Sequence, residues 1–446
     1  DVGRFGTDNP ATAISEALPF VVQTSPSTNY VNIGIVSGAH GSHVAGIVAG
    51  NHLFGGAMTG AAPGAKLVSI RVCLFISGCT SSALVNGMIF AVETAHVDTI
   101  NMSIGGLPAL NAGENNGPAN TRAILYNRLI DEGGVQMFIS AGNNGAGVNT
   151  IGDPSVAARV MSLGSYVTDA TWRSNYGSNS AYVDNIHNYS SRGPREDGGM
   201  KPQIVAPGAA VSTVPTWQAG QPVAGVYDLP PGYGMFNGTS MASPQAAGAA
   251  ALLISAAKQS NVQYAPAQLR QALNSTARYL DKDRFEAYDQ GNGLIKVQSA
   301  WNMLRKNLKP VEISASVPVK TALSGFLINP NVGIGIYERE GVAANSTLVR
   351  EFTFKRTSGA AGAITYHVKF VGDVSSYSAP AKVTLPLNQE VKLKVTVKVG
   401  GPGTYSTLMN LEDTKTAGVD FQTMNTVIVA NQFTAANNFS ATTTGT

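Results

Sequence analysis

The sequence predicts an α/β protein of three layers, helices on both faces of a mostly parallel sheet, followed by an all-β sandwich. Two observations carry that prediction. Up to about residue 308, short apolar runs rich in Val and Ile alternate with helical stretches, as in a buried parallel sheet with crossover helices. From about residue 309, polar and apolar residues alternate between clusters of Gly, Pro, Ser and Asn, the pattern of half-buried sandwich strands. The expected domains are 1–308 and 309–446.

Taken in order, residues 1 to about 30 show little periodicity and carry Pro10, Pro19 and Pro26, so they read as a wrapping segment. A short strand is predicted at 31–36, and a helix of small residues opens at His40. Strand signals recur at 66–72, 99–103, 135–140 and 160–166, with helical stretches at 81–94 and 121–132 between them. A further apolar strand at 201–208 is broken by Pro202 and Pro207. Gly238 then permits a sharp turn, Thr239 can accept from an amide of the next helix's first turn, and Pro244 reads as a helix-start proline. From 246 to 257 that helix is almost all Ala, Gly, Leu and Ile, so it belongs inside a large core. Helices at 266–273 and 297–305 close the first part. In the second, segments 348–355, 365–370 and 390–397 alternate as strands, and the tail from Phe433 reads as loosely held.

The composition narrows the function. A net charge of +3 is too small for an electrostatic nucleic-acid platform, so no nucleic-acid partner is expected. No apolar run reaches the ~18–20 residues needed to span a bilayer. Cys73 and Cys79, the only cysteines, flank a short turn. Their spacing suits a small disulfide loop or two free thiols and is wrong for a zinc cluster; a bridge would favour an exported protein.

Three separated stretches converge on one chemistry. His40 and Ser240 each open a helix at the carboxyl edge of a parallel sheet, where ligands bind in open α/β folds. A hydroxyl at the mouth of such a helix faces the positive end of its dipole. The stretch Phe138-Ile139-Ser140-Ala141-Gly142-Asn143 runs a strand into a glycine-flanked asparagine, whose amide can donate to an oxyanion together with the N–H of Ser240. Ser103, Ile104 and Gly105 end another strand in glycine, leaving backbone for a peptide to pair with. His43 reads as a packed, hydrogen-bonded neighbour, and His52, His96 and His187 as ordinary.

The motifs H-G-S-H-V-A-G, N-M-S-I-G-G, S-A-G-N-N-G, Y-S-S-R-G-P, K-P-Q-I-V-A-P-G and N-G-T-S-M-A-S-P resemble, in order, those of the subtilisin-like serine proteases. The resemblance covers roughly 31–260 and implies a subtilisin-like fold. It implies His40 as general base, Ser240 as nucleophile, Asn143 as oxyanion-hole donor, and Ser103, Ile104 and Gly105 as substrate-pairing strand. The all-β region is similar to domains that follow the catalytic part in larger members. The implied activity is a secreted or cell-surface endopeptidase acting on proteins or peptides, with self-processing and its own cleaved N-terminal fragment as a partner. The chemistry needs no cofactor. Structural Ca²⁺ is common in the family, and the segment 51–60 and the loop around Asp184 are its unassigned candidates.

The family also needs an aspartate to orient the imidazole, on a strand ahead of the histidine. Nothing before His40 fits that motif: Asp1 has no strand in front, and Asp8 lies among turn-like neighbours. The aspartate is expected upstream, on a piece absent from this chain. Two other readings follow. An α/β-hydrolase elbow at Ser240 would need a later histidine, and only His367, inside a predicted strand, qualifies. A catalytically weak subtilase-like module that binds peptides or surfaces would explain the missing aspartate, yet it would need none of His40, Asn143 and Ser240.

Overall fold

The computed structural model describes residues 2–5, 18–35, 38–74, 78–215 and 229–431. The chain opens with β1 (Val2–Phe5), β2 (Leu18–Ser25) and β3 (Tyr30–Ile35), an antiparallel sheet standing apart from the parallel one. The wrapping segment therefore contains two strands that low periodicity concealed. The strand expected at 31–36 forms as β3 up to Ile35, Val36 lying outside the described residues, but Tyr30, Val31 and Ile33 of β3 are exposed. Helix α1 (His40–Ala49) follows, and β4 (Cys73–Leu74) and β5 (Gly78–Cys79) make a small ladder closed by a Cys73–Cys79 disulfide.

The three-layer body is built from α2 (Ser81–Ile89), β6 (Thr99–Met102), α3 (Thr121–Gly133), β7 (Gln136–Ser140), β8 (Met161–Thr168), α4 (Asp169–Tyr176), β9 (Asp184–Ile186) and β10 (Ile204–Pro207). The order β10-β8-β7-β6 is parallel throughout, and β9 joins β8 antiparallel. Side chains of successive residues leave a strand on opposite faces, and β7 shows it. Phe138 packs with Leu163 and Ala246, while Met137 and Ile139 pack with Tyr126 and Ile130 of α3. The strand expected at 66–72 does not form. Among the described residues β6 is the sheet's edge, 66–72 belongs to no strand, and Leu67 and Val68 stay exposed.

A hairpin of β11 (Ala209–Thr213) and β12 (Tyr233–Asn237) leads into α5 (Thr239–Gln259), which packs on β6, β7, β8 and β10. Helices α6 (Pro266–Thr276), α7 (Ala287–Gln290) and α8 (Val297–Leu304) complete that side. The all-β part begins with β13 (Ile313–Pro318), β14 (Val332–Gly333), β15 (Tyr337–Glu338) and β16 (Thr347–Arg356). It continues with β17 (Ile364–Gly372), β18 (Tyr377–Ser378), β19 (Lys382–Leu385), β20 (Glu390–Lys398), β21 (Gly403–Glu412) and β22 (Phe421–Val429). Two sheets, ordered β14-β13-β16-β20-β18 and β15-β22-β21-β17-β19, enclose Phe352, Tyr366, Val395, Leu411 and Val427. The last α-helix ends at Leu304 and the strands of the all-β part begin at Ile313; Leu308 still belongs to the first core. Among the described residues no helix is long and apolar enough to cross a membrane.

Candidate active site

Strand β12 carries the chain to Gly238, whose φ of +149° is one that L side chains rarely adopt. Helix α5 starts at once, and Gly238 is its N-cap with no side-chain capping bond. Thr239 is therefore not the cap foreseen. Its hydroxyl accepts from the Gly142 N–H at 3.2 Å and donates to Asn143 Oδ1 at 2.9 Å. The Thr239 N–H donates to the same oxygen at 3.0 Å. With Oδ1 held by two donors, Asn143, itself exposed, keeps its Nδ2 for the cleft. A Cβ built on Gly238 would lie 3.3 Å from Asn143 Nδ2 and 3.6 Å from Ser240 N, so both groups border one open point.

Pro244 is also not at the helix start. It lies inside α5, where its missing N–H leaves the carbonyl four residues earlier, that of Ser240, without its helical partner. Ser103 Oγ donates to that carbonyl at 2.7 Å. Ser240 Oγ in turn points toward the Ser103 carbonyl at 3.5 Å. Asn101 completes the link, donating to Ser103 Oγ at 3.2 Å and accepting from Ser243 Oγ at 2.7 Å. The nucleophile candidate is thus tied to β6 through a carbonyl that a proline frees. Ser103 is buried and turned inward, Ile104 is half-buried and Gly105 exposed.

His40 is the first residue of α1 and stands exposed at the cleft. Protein around the ring still costs its cation hydration, and that desolvation holds its pKa below the usual 6.5. Burial is the one cause of that shift, and no described carboxylate contributes. Asp1 and Asp8 lie outside the described residues. His43, one turn on, is fully buried as a packed neighbour, and His187 is buried against Ser165 Oγ at 2.9 Å.

His40, Asn143 and Ser240 line one open cleft of about 360 Å³, together with Met235, Phe236, Asn237 and Met241. Ser103, Ile104 and Gly105 do not line it. Sequence reasoning missed Met235, Phe236 and Asn237, although their place directly before Gly238 could have signalled them. The freed Ser240 carbonyl was legible too, since a proline inside a helix leaves the carbonyl four residues back without a partner, but Ser103 as its donor was not. As for calcium, no group of three or more His, Cys, Asp or Glu among the described residues could hold a metal ion. Asp184 gives both carboxylate oxygens to Arg278, at 2.8 and 2.9 Å.

A model of the subtilase family matches residues 15–293, and one of an Ig-like domain in actinomycete serine proteases matches 314–429. Pyrolysin from Pyrococcus furiosus is 28% identical over 488 residues, covering 95% of this chain and 32% of that protein. Tripeptidyl-peptidase 2 from Caenorhabditis elegans is 34% identical over 331 residues, covering 71% of this chain and 22% of that protein. The crystal structure of a tripeptidyl peptidase 2 superposes with a TM-score of 0.68 at 26% identity, covering 92% of this chain and 31% of that one. The chain thus spans about a third or less of these relatives.

Proposed function

Because the chain belongs to the subtilase family of serine peptidases, we propose that it is a serine endopeptidase working through an acyl-enzyme on Ser240. Ser240 Oγ attacks the carbonyl carbon of the scissile peptide bond, and its proton passes to His40. The oxyanion takes hydrogen bonds from Asn143 Nδ2 and the Ser240 N–H. The C–N bond breaks as His40 returns the proton to the departing amine. Water, deprotonated by His40, then attacks the ester carbonyl and releases Ser240.

The observation that carries this reading is the open point shared by Asn143 Nδ2 and Ser240 N, in a cleft that also holds His40 and Ser240. Ser103, Ile104 and Gly105 are proposed as the edge that pairs with substrate on the β6 side. An extracellular setting, with proteins or peptides as substrates, is supported by the Cys73–Cys79 disulfide and the match to an Ig-like domain of actinomycete serine proteases.

The test is labelling with a fluorophosphonate probe, with intact-mass analysis of every polypeptide in the sample. One adduct, localised to Ser240 and lost in Ser240→Ala, is the expected result. A second, co-purifying fragment would identify the chain's own cleaved piece as a partner. An unlabelled protein, beside a labelled control subtilase, would overturn the reading in favour of a binding module.

A further inference from the structure

His43 sits one turn after His40, and nothing in the mechanism above uses it. Its ring is fully buried. Nε2 lies 3.0 Å from the Gly234 carbonyl and 3.2 Å from the Ala210 carbonyl, residues of the two hairpin strands β12 and β11. Both neighbours are acceptors only, so Nε2 carries the proton and donates to both. The ring stacks on Phe236 with centroids 4.3 Å apart and planes 12° from parallel. Phe236 lines the cleft, four residues before Ser240 on the same stretch of chain.

Neighbouring contacts run the same way. Ser212 Oγ donates to the His43 carbonyl and Thr213 Oγ1 to the Ser42 carbonyl, each at 2.9 Å. Gly46 lets the hairpin close on the helix: a Cβ there would lie 2.3 Å from Ser212 Oγ and 2.4 Å from Thr213 Oγ1. Those contacts reach β11 alone. His43 is the residue whose side chain bonds both strands and stacks on the cleft wall.

We propose that His43 is a positioning residue: its neutral Nε2–H form latches the β11–β12 hairpin to α1, setting His40 against Ser240. The inference rests on the serine-protease reading. The groups facing the ring are two carbonyls, Phe236 and, through space, His40. His43 Nδ1 has no partner, and desolvation lowers the ring's pKa to about 4, so the latch stays neutral across the working range of a histidine base.

The test compares two variants of the full chain, with kcat counted per fluorophosphonate-labelled Ser240. His43→Phe keeps an aromatic ring against Phe236 and removes the donor. His43→Gln loses the ring, but its amide reaches the position of Nε2 and donates to both carbonyls. A misplaced base slows chemistry rather than binding, so His43→Phe should lower kcat by on the order of 10- to 100-fold with KM little changed. His43→Gln should recover most of that loss. Equal kcat in both variants and wild type, with only the melting temperature lowered, overturns the proposal and leaves His43 a packing residue. If His43→Phe does not fold, His43→Asn replaces it, because its amide is too short to reach the carbonyls. Equal kcat in the Asn and Gln variants is then the overturning result. A wild type that does not label fails the protease reading itself, and this inference with it.

Discussion

Ser240 and His40 each occupy the first turn of a helix made of small residues, yet the two helices are held differently. Helix α5 buries Met241, Ala242, Ala246, Ala247 and Ala250 against all four parallel strands. Around Ser240, the side chains of Asn101, Asn143, Thr239 and Ser243 are each fixed by a named bond. Helix α1 buries only His43, Gly46 and Ile47, and the strand before it leaves Tyr30, Val31 and Ile33 exposed. The place of the proposed nucleophile, Ser240, is over-determined by the core, whereas His40, the proposed base, sits on a helix whose hairpin contacts run through His43, Ser212 and Thr213. Changes on the serine side should therefore remove chemistry without moving atoms, and changes on the histidine side should move atoms first.

The largest expected effect breaks the serine side alone. Asn143→Asp keeps an oxygen to accept from Thr239 but presents an acceptor where Nδ2 donated. Turnover should fall by about 10² to 10³, the scale of one lost oxyanion donor, with KM nearly unchanged. Steady-state kinetics check it, and a proportionate rise in KM would show that Asn143 binds substrate instead. Gly238→Ala is next. Its Cβ would stand 3.3 Å from Asn143 Nδ2 and 3.6 Å from Ser240 N, in the space proposed for the oxyanion, at a φ of +149°. The backbone strain alone costs about 1–3 kcal/mol of stability. Labelling of Ser240 should slow even in the folded fraction.

This asymmetry also decided what the sequence made legible. The Ser240 loop and the α1 motif are short, contiguous runs whose small residues and turn-forming glycines declare a buried helix opening on a reactive group. The sheet was readable where apolar runs are paired, at β6, β7, β8 and β10. At 66–72 the apolar pattern overstated the sheet: the run belongs to no strand, and its Leu67 and Val68 are exposed rather than buried as a parallel sheet requires. Strands β1 and β2 were hidden by their low periodicity, and the neighbour β2 pairs with, β3, has no buried face to impose alternation, since its Tyr30, Val31 and Ile33 are exposed. The bonds of Thr239 to Asn143 and of Ser103 to Ser240 join residues 96 and 137 positions apart, and chain separations of that size leave no local pattern.

Another effect is read from two buried histidines. His43 beside His40 and His187 against Ser165 and Tyr189 are both buried, and desolvation lowers each pKa from 6.5 to about 4. Above pH 6.5 neither state holds the extra proton. Below it the unfolded chain takes up a proton that the folded chain refuses, so the histidines' contribution to stability declines until pH reaches about 4. The loss is on the order of 3 kcal/mol for each histidine. In the same window burial raises the Glu286 carboxyl to about 8 and those of Asp289 and Asp420 to about 6, and these groups gain stability as pH falls, so the histidine contribution is read by difference. Between pH 7 and 4 the urea midpoint of His187→Gln should fall less, or rise more, than that of the wild type. The same pH dependence in His187→Gln and wild type would mean that the His187 ring is not as dry as the fold makes it. Removing the disulfide by Cys73→Ser and Cys79→Ser should matter less, at about 2 kcal/mol, because the bridge closes a loop of only six residues' separation. Both kcat and KM should hold, since neither cysteine touches the cleft.

The smallest expected shift sharpens the comparison most, because it asks what stands beside His40. Catalysis needs the imidazole neutral, so kcat/KM should rise with pH through the pKa of His40 in the free enzyme. Desolvation lowers that pKa below 6.5, and no described carboxylate raises it. If the described residues are the whole environment of the ring, the acid limb has its midpoint below 6.5. A carboxylate in contact would favour the imidazolium and carry the midpoint above 6.5. In that case Asp1→Asn and Asp8→Asn, made singly, would show which one it is: the variant that returns the midpoint below 6.5 and lowers kcat has lost the orienting acid. A raised midpoint that neither of these variants moves, nor Glu16→Gln nor Asp228→Asn at the other two carboxylates outside the described residues, would assign the acid to a separate polypeptide, which the mass analysis of the labelled sample would reveal. The histidine side would then differ from the serine side in origin as well as in packing, its geometry completed by a second chain while Ser240, Asn143 and their supports all come from this one.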